Sequence, residues 1–120
     1  MGDGQADILP VAAGAARLKL GDPSQAETEI GPINNAKQHQ HVLSLVEAGR
    51  LDGATILTGS AETLPGGGYY VAPTVVTQAT NAMRIAREEV FGPVLSIMGF
   101  DDEAQAVRMA NDTIYGLAAG

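Results

Sequence analysis

Seven consecutive residues, Glu88-Glu89-Val90-Phe91-Gly92-Pro93-Val94, join an acidic pair, an aromatic ring, a Gly-Pro bend and the start of an apolar run. A carboxylate there can accept two hydrogen bonds from a vicinal diol such as a ribose. Hydrogen bonds to charged groups contribute about 1.5–3 kcal/mol each. A phenyl ring beside it can lie against a planar ligand. Gly92 lets backbone approach closely, and Pro93 fixes the bend. Loops at strand ends are where α/β folds commonly place ligands. A purely structural role fits the same residues, with both glutamates solvated and Phe91 in the core. Pattern alone leaves both readings open.

Other chemistries find little support. The chain has no cysteine, so thiolate nucleophiles, disulfides and thiolate metal sites are unavailable to it. Ser44, Ser60 and Ser96 lack a nearby His-acid arrangement. His39 and His41 lie two apart on a predicted helix, point in different directions and make a poor metal pair. Gly66-Gly67-Gly68 lacks the Lys-Ser/Thr of a phosphate loop and reads as a flexible connection. Helix capping accounts for Asp101-Asp102-Glu103. No catalytic residue and no metal ligand is assigned.

The elements that must position the 88–94 stretch follow from periodicity. Met1–Asp7 reads as a flexible lead. Small and apolar Val11, Ala12, Ala15, Ala16 and Leu18 recur at helical spacing, predicting a helix from Pro10 to about Leu20. Pro10 is placed in its first turn. Residues 24–32 read as an acidic surface loop. Asn34 or Asn35 caps a second helix, Ala36–Ala48, with Val42, Leu43 and Val46 inward, His39 on the same side and Gly49 as the stop. Ala54–Leu57 reads as a buried strand. Tyr69–Val76 is strand-like, with Pro73 at an edge or strand end. Val94–Phe100 is nearly continuous apolar sequence, as in a strand covered on both faces. Asp101 or Asp102 caps a last helix, Glu103 to about Asn111, with Val107, Ala110 and Met109 inward. Leu117–Gly120 begins a further element. Helices alternating with buried strands predict a three-layer α/β fold with a mostly parallel sheet.

Composition bounds the function class. The 120 residues suffice for one domain or part of one. A net charge of −7, with its seven cations scattered, disfavours nucleic acid, which needs clustered Lys and Arg. No run of about twenty apolar residues suggests a membrane span, and the acidic, Gly-rich start is unlike a signal peptide. A soluble, cytoplasmic protein is the expectation.

The 84–94 stretch resembles the glutamate-containing motif of the aldehyde dehydrogenase superfamily. So, in the order that family uses them, do Leu20-Gly21-Asp22-Pro23, Glu29-Ile30-Gly31-Pro32-Ile33, Leu57-Thr58-Gly59, Gly68-Tyr69-Tyr70-Val71-Ala72-Pro73-Thr74-Val75 and residues 110–119. Each segment is weakly specific, but their ordered combination is highly specific. The resemblance implies that residues 8–120 form part of a catalytic domain, lying after the nucleophilic cysteine and stopping before the C-terminal strands. In such enzymes a cysteine thiolate attacks an aldehyde, hydride passes to NAD or NADP, and a thioester is hydrolysed to the carboxylic acid. By that analogy Glu89 holds the ribose next to nicotinamide, and Phe91 packs against that end of the cofactor. Glu88 matches the motif without touching ligand. The family's nucleophile, general base, oxyanion asparagine and dinucleotide-binding domain all lie upstream. The expectation is therefore an isolated chain without dehydrogenase activity or useful cofactor affinity, its aldehyde substrate met only in an intact enzyme. The expected partner is another copy, in a homo-oligomer built through open strand edges. The alternative is a non-catalytic α/β module acting by self-association or protein binding. Pro10 is expected to shorten a helix that runs straight on in the family.

Overall fold

The computed structural model describes the backbone of residues 4–59, 61–62, 64 and 66–116. Helix α1 (Gly4–Arg17) leads into an irregular segment, and α2 (Ala36–Leu51) follows. Strands β1 (Thr55–Thr58), β2 (Ala61–Glu62), β3 (Tyr70–Val71) and β4 (Thr74–Thr77) come next. The short helix α3 (Arg84–Arg87), strand β5 (Val94–Ser96) and helix α4 (Glu103–Asn111) complete the order.

The main sheet has the order β1-β4-β5, and β2 pairs with β3 in a separate hairpin. Strand β4 lies at its centre, with all four of its residues buried. Successive strand residues face opposite sides. Val75 faces a groove shared with Val11 and Ala15 of α1 and with Leu18 just beyond it, whereas Val76 joins Ile85 of α3 and Val46 of α2 in the core cluster. Helix α1 therefore covers one face and α2 with α3 the other, giving the expected three layers. Burying each such Val or Leu contributes about 1.5–3 kcal/mol.

The sheet is mixed among the described residues. Strands β4 and β5 run parallel, in the register Thr74↔Val94, Val75↔Leu95, Val76↔Ser96, and β1 runs antiparallel to β4. The β4–β5 link is long enough to carry α3, as a parallel crossover requires. The expectation of a mostly parallel sheet gives way at β1.

Several local expectations are corrected. Strand β5 is an edge among the described residues, with Leu95 50% exposed, so the strand covered on both faces is β4. Strand β1, also an edge among the described residues, shows alternating exposure because its residues face opposite sides, Ile56 packing on the core cluster while Leu57 is exposed. Helix α1 begins at Gly4, inside the expected lead, and Pro10 lies within it rather than shortening it. Helix α2 passes through Gly49 to Leu51, and Gly49 is buried where the helix packs on Ile85 of α3. A Cβ on Gly49 would stand 3.1 Å from Ile85 Cδ1. The chain turns instead at Gly53, with φ +104°. In α4 only Met109 of the three residues expected inward is partly buried, and Val107 is 53% exposed. Met1–Asp3, Ser60 and Leu117–Gly120 lie outside the described residues.

The capping assignments match the expectation. Asn35 Oδ1 accepts the Gln38 N–H at 2.8 Å, and Asp102 Oδ1 accepts the Gln105 N–H at 2.7 Å. Each satisfies a backbone donor that the first helical turn leaves free.

Candidate functional site at the 88–94 loop

The loop leaves α3 at Glu88, crosses the side of α2 and enters β5. Three residues of α2 hold it, and they share one helical face by their spacing. Gln38 Nε2 donates to the carbonyls of Val90 at 2.8 Å and Phe91 at 3.2 Å. His41 Nε2 lies 3.4 Å from the Glu89 carbonyl. Val42, fully buried, packs so near Gly92 that a Cβ there would fall 2.7 Å from its Cγ2. Gly92 is thus required by close approach. Beyond it, the Thr74 N–H donates to the Pro93 carbonyl at 2.8 Å and locks the loop to the central strand.

With three successive carbonyls turned to α2, Phe91 adopts φ +53° and the residue is 68% exposed. A non-glycine residue in the left-handed region costs about 1–2 kcal/mol. Such strain persists where surrounding contacts over-determine it. Val90 is the residue that turns inward, against the core cluster.

The two glutamates differ. Glu88 bonds Arg84, its Oε2 2.5 Å from Nε, and this bond holds its carboxyl below the usual carboxylate range. Glu89 is exposed, and among the described residues its carboxylate has no hydrogen-bond or ion-pair partner. The other histidine serves a different element. His39 Nε2 lies 3.2 Å from the Tyr70 carbonyl, with its ring 5.7 Å from that of Tyr69. Among the described residues no group of three His, Cys, Asp or Glu side chains could hold a metal ion.

A protein-family model described as "Aldehyde dehydrogenase family" matches residues 8–120. The chain belongs to that family. A betaine aldehyde dehydrogenase of Mesorhizobium japonicum is 45% identical over 107 residues, covering 87% of this chain and 22% of the relative. Betaine aldehyde dehydrogenase of Staphylococcus aureus, solved in complex with NAD+, superposes with a TM-score of 0.88 at 34% identity. That match covers 95% of this chain and 23% of the other. An aldehyde dehydrogenase of Bartonella henselae gives 0.87 at 40% identity, over 94% and 24% of the two chains. The chain thus spans about a fifth of the length of the curated relatives it matches. The α/β architecture and the family resemblance read from the ordered motifs both hold.

Sequence reasoning missed Gln38 as a residue that positions the loop and weighed His41 only as a poor metal ligand. The available signal was a polar pair one turn apart on α2, next to the buried Val42. Its target lies about fifty residues away, which local periodicity does not report.

Proposed function

We propose that this chain supplies the nicotinamide-ribose side of the NAD or NADP site of an aldehyde dehydrogenase, which oxidises an aldehyde to a carboxylic acid. Residues 8–120 are then one part of the catalytic domain. The observation carrying this reading is the contrast at the loop. An unpartnered, exposed Glu89 carboxylate stands beside an exposed Phe91 ring, on backbone anchored at four points. These residues fit a ribose and its attached ring. Glu89 accepts hydrogen bonds from the two ribose hydroxyls, and Phe91 offers an apolar wall that excludes water from one side. The nicotinamide cofactor, when bound, accepts hydride from the substrate. Because the chain has no cysteine, the covalent step needs a thiol from outside these 120 residues. The chain alone therefore forms no NADH from an aldehyde.

The test is a chimera in which residues 8–116 replace the matching segment of the B. henselae enzyme. Glu89→Gln in that chimera weakens one charge-assisted bond or more, raising KM for the cofactor about tenfold or further. A KM unchanged by Glu89→Gln, in an active chimera, would overturn the assignment.

The alternative role, self-association in a cytoplasmic homo-oligomer, draws support from β5, which pairs on one side only among the described residues and exposes Leu95. Light scattering of the chain at rising concentration distinguishes it; a compact monomer throughout counts against it. No described helix is long and apolar enough to cross a membrane.

A further inference from the structure

The anchoring of the loop is uneven in chemistry, and that unevenness has a consequence. Gln38 donates to Val90 and Phe91 at any pH. His41, one turn further along α2, meets the Glu89 carbonyl at the long distance of 3.4 Å. Imidazole is the side chain that changes charge between roughly pH 5 and 8, and both its nitrogens are donors once protonated. Charge-assisted hydrogen bonds are shorter and roughly twice as strong as neutral ones.

From the loop, the Glu88 carboxylate senses the His41 charge as well as its bonded Arg84, and Glu89 has no ion-pair partner among the described residues. From α3, Arg84 is occupied by Glu88. From α2 itself, Lys37 lies one turn earlier and opposes only in part, being exposed to solvent. The neighbouring strands β1 and β3 bring no charged side chain. The strained φ of Phe91 supplies the opposing tendency, since backbone released from its anchors relaxes toward negative φ.

We propose that His41 is a protonation-dependent latch on the 88–92 loop, tightening the hold of α2 on the Glu89 carbonyl as pH falls. The latch is a property of the chain by itself. Its effect on a nucleotide rests on the cofactor-loop reading given above: at lower pH the Glu89–Phe91 pair is held more firmly in its presenting conformation.

The experiment needs no nucleotide, so its failure and the failure of that reading are distinguishable. Heteronuclear NMR of the 120-residue chain follows the His41 ring and the amides of Glu89, Val90, Phe91 and Gly92 from about pH 5 to about pH 8. The loop amides are expected to shift with the same midpoint as the His41 ring. His41→Gln keeps a side-chain donor without titrating and should abolish that step. His39→Gln should leave it in place, because His39 bonds Tyr70 instead. Loop amides that stay fixed while the His41 ring titrates would overturn the latch. So would a pH step that persists in His41→Gln.

Discussion

Gly92→Ala tests whether the loop is seated by contact with α2. The new Cβ would stand 2.7 Å from Val42 Cγ2 and 3.2 Å from Cγ1. Val42 is fully buried and β-branched, and in a helix such a side chain has essentially one rotamer, so it cannot swing aside. Either the loop lifts from α2, stretching the Gln38 bonds, or the helix shifts. Overpacking of this kind costs about 1–3 kcal/mol. Val42→Ala alone removes two buried methyl groups and leaves a space, costing about 2 kcal/mol. In the double variant the methyl introduced by Gly92→Ala enters the room Val42 vacated. The combined loss should then fall short of the sum of the single losses by about 1–2 kcal/mol. Urea unfolding of the four proteins, followed by circular dichroism, measures that coupling. Losses that add within about 0.5 kcal/mol would refute the argument, since that is how non-contacting sites behave.

Phe91→Gly should leave the chain as stable or stabilise it by up to about 1 kcal/mol. Left-handed strain is relieved against a smaller entropic cost, and an exposed ring buries little. The same change in the chimera should weaken cofactor binding; a large loss of stability measured by urea would show that the ring packs in the core. The pH dependence has a definite sign. Glu88, Glu47 and Asp22 have carboxyls held low, by bonds from Arg84, from Arg50 and from the Ser24 backbone N–H respectively. Their contribution is complete above the unfolded carboxyl pKa of about 4 and is lost as pH falls through the lower folded values. Tm should therefore drop between about pH 4 and pH 2, and a flat profile there would contradict the pairing.

Much of the fold was legible because short-range rules govern it. Asn35 and Asp102 announced two helix starts through their capping side chains, and α4 spans the residues its periodicity indicated. Rules of that range fail where distant contacts decide. Gly49 reads as a stop until Ile85 is seen against it. Val94–Ser96 has the composition of an interior strand, yet strand order makes Thr74–Thr77 the interior one. At the loop, the residue types pointed to a carboxylate and a ring, and the structure adds which glutamate is already committed to an arginine. Neither φ at Phe91 nor the reach of Gln38 is written in the local sequence, because both arise where α2 meets the loop.

The Gln38 bonds also set a rule for anyone transplanting this loop. A peptide copied from residues 88–94 would leave its templating surface behind, since that surface sits 52 and 53 positions earlier in the polypeptide. The heritable unit is a helix face plus a loop. Swaps between relatives should preserve the shape of both partners or lose the geometry altogether.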